Sequence, residues 1–307
     1  MDSANKQTAV IAEVTVGTTP ATPAFLLCRD SSVTGAPNRP ASRSPERRSD
    51  RMAATMYKGV NTYPKSIVLP YSRDAATDVL WTSAFGSAWA TNVLKAGSTQ
   101  LTFTLEEKYE GGATDPYRRL TGCQVDSVSI GFQIGQPGSL TFGLKALGES
   151  TATTAIASST YAAPTPYDDP ITPADITVSS LFGLSSPQVV SMQATLSNNL
   201  YEKYKWGSAD PFGVGFGIFE FSGTVQVYFQ ALADYSTFAT RQTAQTMDLV
   251  IGGVANHKDE LYCAGMDVWN PNVDDPGQTG THLVTLNFFA RYYAADATAL
   301  KLTRNVA

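Results

Sequence analysis

Three runs of strictly alternating apolar and polar residues, crowded between Leu101 and Gly148, restrict this chain to a strand-rich fold more firmly than any other feature. Leu101, Phe103 and Leu105 alternate with Thr102, Thr104 and Glu106, the two-residue period of a half-buried strand. Val128, Ile130, Phe132 and Ile134 form the second run, and Leu140, Phe142, Leu144 and Ala146 the third. Gly135-Gln136-Pro137-Gly138 separates them, and a Gly/Pro turn between alternating runs is the signature of a β-hairpin. The parity of Cys123 and Val125 is opposite to that of Val128 and Ile130, so a bulge is expected at Asp126-Ser127.

This hairpin unit recurs. The return run SLTFGLKAL (139–147) has a near copy in GTVQVYFQAL (223–232) and a looser one in THLVTLNFFA (281–290). Each follows an apolar run: VDSVSIGF (125–132), VVSMQATL (189–196) and LYCAGMDVW (261–269). The spacing is too long for a solenoid, which leaves a repeated strand pair within one sheet system. The expected organisation is one domain, 1–307, of two related β halves (about 1–148 and 176–307). The Ala/Thr/Pro-rich stretch 149–175, with Asp168-Asp169-Pro170, reads as an unfolded connector between them. The longest strand signal runs from Phe219 to Ala231, about 43 Å if fully extended.

The remaining segments are less regular. Val10-Ile11 and Val14-Val16 indicate a short edge strand, followed by an extended Pro-rich arm through Pro20 and Pro23 that is free to lie on another subunit. One amphipathic helix of about four turns is expected from Ser72 as N-cap, with Asp74 in its first turn. Leu80, Trp81, Ala84, Phe85 and Ala88 form its apolar stripe, and Trp89 extends it. Arg39, Arg43, Arg47, Arg48 and Arg51 give the loop 39–51 a local charge of +3 against Glu46 and Asp50. It reads either as a solvated basic loop or as a contact loop reaching an acidic surface on a neighbouring subunit. Without interleaved aromatics it makes a poor nucleic-acid patch.

The net charge is −5, so the body outside that loop carries −8, which argues against stable nucleic-acid binding. Charged residues make only 16% of the chain, against roughly 25% in typical domains, as expected where neighbours cover much of the surface. Cys28, Cys123 and Cys263 form neither a CxxC pair nor a disulfide framework, which fits a reducing cytoplasm. The N-terminus shows no signal-peptide pattern, and no run of 18 apolar residues exists, so neither export nor a membrane anchor is expected.

The chemistry-bearing residues form no persuasive active site. His257 falls in a polar turn, and His282 begins a strand whose parity points to the core, so no Ser/His/Asp arrangement is in view. Asp267, Asn270, Asn272 and Asp274 alternate oxygen ligands but lack the Gly and Glu of a calcium loop, and a Pro/Asn/Asp-rich turn is the expected reading. Gly213, Gly215 and Gly217 miss the third glycine of the dinucleotide spacing. Glu106-Glu107 and Asp274-Asp275 are adjacent pairs whose side chains diverge on a strand. No enzyme activity, cofactor or metal is expected.

The ordered set of strands resembles that of the major tail tube proteins of long-tailed bacteriophages. The likeness rests on LTFTLEEKYEGG (101–112), TGCQVDSVSIGF (121–132), GSLTFGLKALG (138–148), GTVQVYFQALAD (223–234) and VTVGTTPATPAFLL (14–27), with the helix before Trp89 in matching order. The resemblance implies a β-sandwich or barrel-like subunit that assembles into stacked hexameric rings. The rings would enclose an acidic-to-neutral channel that conducts double-stranded DNA during genome ejection and is occupied by a tape-measure protein beforehand. It implies a place in the virion tail, assembly in the host cytoplasm, and tail-end proteins as further partners. Arg39, Arg43, Arg47, Arg48 and Arg51 would then serve contacts between subunits or rings. Three other readings stay open: a tail or head–tail joining protein, a carbohydrate-binding β-sandwich using Tyr201, Tyr204 and Trp206, and a hydrolase dependent on His257 or His282.

Overall fold

In the computed structural model, which describes residues 5–111, 115–164, 170–274 and 280–306, the alternating runs become strands of one hydrogen-bonded sheet system with two small hairpins apart from it. The first strands are β1 (Lys6–Ala12), β2 (Ala24–Leu27), β3 (Ser32–Thr34), β4 (Ala41–Arg43), β5 (Met56–Lys58) and β6 (Tyr63–Pro70). Helix α1 (Ala75–Phe85) precedes β7 (Val93–Lys95), β8 (Phe103–Tyr109), β9 (Tyr117–Gln133), β10 (Ser139–Ala146), β11 (Gly148–Ala152) and β12 (Thr160–Ala162). Then come β13 (Ile176–Leu181), β14 (Val189–Ser197), β15 (Tyr201–Lys203), β16 (Gly213–Gly215) and β17 (Glu220–Tyr228). A short helix α2 (Leu232–Ser236) leads to β18 (Gln242–Ile251), β19 (Lys258–Val273), β20 (Leu283–Ala290) and β21 (Lys301–Val306).

Strand β9 organises the molecule. Its first half pairs with β8 and β11, in a sheet of order β12-β2-β1-β8-β9-β11. Its second half pairs with β10 and β14 in a larger sheet, β3-β6-β10-β9-β14-β17-β20-β19-β18-β13. Strand β21 pairs with the start of β19 and carries β7 on its far edge. At the handover within β9, Gly122 has φ +62, and a Cβ there would meet Leu147 at 2.6 Å. The bulge falls at Asp126, where Gly143 faces Ser127 and Leu144 faces Val125. The three repeated strand pairs, β9–β10, β14–β17 and β20–β19, lie side by side in this larger sheet.

The inward face of that sheet forms the core. Helix α1 lies on it, with Trp81 edge-on to Phe142 (centroids 5.4 Å apart) and Phe85 against Phe219 at 5.9 Å. Phe182, just after β13, meets Phe288 of β20 at 5.8 Å. Ile176, Val178 and Leu249 line one apolar cleft with Phe132, Met192 and Val225, so the sheet curls and packs on itself. The result is mainly β with one long packed helix, as the sequence indicates.

Several local expectations are corrected. Asp74, not Ser72, caps α1: its carboxylate accepts from the Thr77 amide at 2.7 Å, and Ser72 donates to Asp74 at 3.2 Å. The helix stops at Phe85 because Gly86 turns left-handed (φ 59), which leaves Trp89 outside it under the Arg304 guanidinium. Strand β1 is not an edge, since β2 and β8 flank it. Nor is the segment after it free: the Glu13 carboxylate accepts from Gly17 N (2.7 Å), Gly122 N (2.9 Å) and the hydroxyls of Thr102 and Thr104 (2.8 Å each). That cover, with Tyr161, buries β8 on both faces where the alternation predicts a half-buried strand. The stretch 149–175 is partly folded, since β11 pairs with β9 and β12 with β2. Asp168, Asp169 and Asp275 fall outside the described residues. The long run from Phe219 yields only the nine residues of β17, because the chain leaves for α2; β9 (17 residues) and β19 (16) are the long strands.

Candidate assembly surfaces

The solvent side of the larger sheet is a polar plate. In register it carries Ser127, Ser129 and Gln133 from β9, Gln193, Thr195 and Ser197 from β14, Ser222, Thr224 and Gln226 from β17, and Thr285 and Asn287 from β20. Their neighbours in sequence, among them Val128, Ile130, Leu196, Val225 and Leu286, are buried, so strand alternation fixes which side each faces. Ser191 donates to Gln226 (2.8 Å), which donates to Thr285 (3.2 Å), linking three strands. Gly131 leaves room for Gln193, whose amide would stand 3.0 Å from a Cβ there. On β9, β14 and β17 the charges among the described residues sit at one end of the plate, in the Lys145–Asp126 pair (3.2 Å) and Glu220; on β19 the same face carries Asp267, paired with Arg291 at 2.8 Å.

A second surface is the arm from residue 39 to residue 60. Strands β4 and β5 pair only with each other, and every residue of both is exposed. Met52 and Met56 are 72% and 65% exposed. The five arginines divide. Arg39 stands beside Tyr63 and Asp210 at the base, and Arg48 is held to Asp50 at 2.7 Å in an exposed pair. Arg43, Arg47 and Arg51 are exposed along the arm.

A third surface adjoins that base. The hairpin β15–β16 is tied down by the Tyr204 hydroxyl, which donates to the Asn61 carbonyl at 2.8 Å, and by Asp210, which accepts from Asn61 (2.7 Å) and Tyr63 (2.5 Å). The hydrogen bond to Asp210, after burial, pushes the Tyr63 phenol up, and the same bond holds the Asp210 carboxyl low. Trp206 at the tip is fully exposed. The aromatics Tyr201, Tyr204 and Trp206 therefore do not act alike, since Tyr204 is used as an internal tether.

The residues considered for chemistry are dispersed. His282 is exposed, with Nδ1 2.8 Å from the Asp274 carbonyl, because the strand begins only at Leu283; the expectation of a core position is corrected. His257 lies in a turn, its amide donating to Val254 at 3.0 Å. Asp267, Asn270 and Asn272 belong to β19 rather than to a turn, and Asp267 pairs with Arg291 at 2.8 Å. Gly213 and Gly215 are the ends of β16. Glu106 and Glu107 do diverge: one meets Arg119 and Tyr161, the other Lys6 and Lys65. Cys28, Cys123 and Cys263 are free thiols. Among the described residues no group of three His, Cys, Asp or Glu side chains is placed to hold a metal, and no helix is long and apolar enough to cross a membrane.

The described surfaces are thus a curled sheet with a polar outer plate, one protruding arm and a tethered hairpin. A profile of the phage tail tube protein family matches residues 3–290, and the chain belongs to that family. It is a structural, non-enzymatic subunit of the virion tail that assembles with copies of itself into a tube. A search of curated proteins returns no match.

Proposed function

We propose that six copies close into a ring, that rings stack, and that the polar plate lines the lumen through which double-stranded DNA leaves during ejection. The observation that carries this reading is the chemistry of the plate: hydroxyls, amides and glycine across β9, β14, β17 and β20, with the charges at its margin held in the Lys145–Asp126 and Arg291–Asp267 pairs and Glu220. Affinity for DNA comes chiefly from Lys and Arg neutralising phosphates, so a wall without them lets a duplex slide. The expected acidic-to-neutral channel becomes, on this reading, neutral at its wall, with the negative charge of the body elsewhere. A tape-measure protein would occupy the same lumen before ejection, and tail-end proteins would close the stack assembled in the host cytoplasm. Arg43, Arg47 and Arg51, with Arg39 beside Asp210 and Arg48 paired to Asp50, supply contacts between rings.

The test places lysine on the plate at Ser129, Thr195 and Thr224, in virions whose tails stain normally. Slower DNA release, relieved by added salt, supports the reading. Release at the wild-type rate moves the plate off the lumen.

A further inference from the structure

Trp206 combines full exposure with a rigid mount. The tip residues 204–210 are held by the Tyr204–Asn61 and Asn61–Ala209 bonds, both 2.8 Å, and by the two bonds into Asp210. The loop that carries the ring is thus tied down on both sides of Trp206 before any partner arrives, which lowers the backbone ordering cost of docking it. Tryptophan is among the residues enriched at the energetic centres of protein interfaces. The same bonds reach the base of the arm, so Trp206, Phe212, Met52 and Met56 spring from one corner of the molecule.

That corner is also electrically distinct. Residues 39–62 and 201–215 hold eight basic and four acidic side chains, which leaves fourteen basic and twenty-three acidic residues in the remainder of the chain. A single copy therefore carries a positive, partly apolar corner and a negative body. Two such surfaces on one chain satisfy each other only between copies, in a head-to-tail contact that propagates.

We propose that the β15–β16 hairpin is a docking element for a second copy of this chain, with Trp206 as its anchor, buried against the acidic body of the next subunit. This rests on the tube reading and adds the hairpin to the arm as a second, sequence-distant half of one contact. Steering by the arm's arginines brings the copies together, and burial of the indole slows their separation.

The experiment uses the full chain and its Trp206→Ala and Trp206→Phe variants, with circular dichroism and monomer melting to confirm an unchanged fold. Among the four tryptophans, Trp206 is the exposed one: Trp81 is buried, and Trp89 and Trp269 are partly covered. Acrylamide quenching of wild-type protein is expected to drop when tubes form. Trp206→Ala should raise the concentration needed for assembly about tenfold or more, and Trp206→Phe by less. Tubes in which Trp206 stays as quenchable as in the monomer, or an alanine variant that assembles at wild-type concentration, would overturn the docking role while leaving the tube reading intact. If that alanine variant also loses binding to a glycan array, the hairpin is a carbohydrate site instead. Wild-type protein that never associates would remove both readings.

Discussion

Glu107 is fully buried on β8 and keeps its charge because Lys6 and Lys65 each approach to 2.6 Å. Burial opposes ionisation, but the two lysines outweigh it and hold the carboxyl below its usual range, while burial pulls Lys65 down. Removing one partner of a buried pair strands the other, so Glu107→Ala should cost about 3–5 kcal/mol in urea unfolding. Replacing both, as Glu107→Gln with Lys65→Met, should recover much of that loss. Asp259 works in the opposite sense. It is buried beside Tyr71 (3.5 Å) and Arg73 (3.6 Å), and burial, partly opposed by Arg73, pushes its carboxyl up to about 7. A carboxyl whose folded pKa lies above its unfolded value near 3.9 is favoured in the protonated form. Its cost is absent below about pH 4, grows as the pH rises to 7 and then stays constant. The melting temperature should therefore fall between pH 5 and pH 7.5, and Asp259→Asn should flatten that fall. Asp30, Asp78 and Asp248, also raised by burial, act in the same direction. An identical slope in the variant would clear Asp259 of this role.

At the scale of elements, the arm tests most simply. Replacing Arg43, Arg47, Arg48 and Arg51 with Glu should weaken polymerisation and make what remains less salt-sensitive, by sedimentation and negative-stain microscopy; unchanged tube yield would exclude the arm from the contact. At the handover in β9, Gly122→Ala must hold a left-handed φ against Leu147 and should cost about 1–3 kcal/mol, read by thermal melting. Sequence alone showed the sheet where periodicity is local. The parity switch between Val125 and Val128 located the bulge, and the repeated runs located the strand pairs that the sheet sets side by side. It did not show that Thr104 and Glu106 are covered, since the cover comes from Glu13 and Tyr161, far away in the chain. The strands β11 and β12 were hidden in a Ser/Thr/Ala-rich stretch because their pairing with β9 and β2 overrides weak propensity. The plate could be read as polar positions on each strand, but not as one surface, because register between strands is tertiary information. Trp206 is legible as a residue; its exposure on a loop tethered to Asn61 and Tyr63 is not.

For the whole molecule, the fold supplies a sheet with one apolar and one largely uncharged polar face, a positive corner and a negative body. A fully exposed indole, bare methionines and a basic arm find partners only in the proposed array of copies. The central claim is that copies surround an uncharged lumen formed by the plate. Cryo-electron microscopy of tubes grown from the purified chain tests this most directly. The account predicts rings of six with Ser129, Thr195 and Thr224 facing the channel; tubes of other symmetry that carry those residues on their outer surface, or a chain that stays monomeric at high concentration, would contradict it.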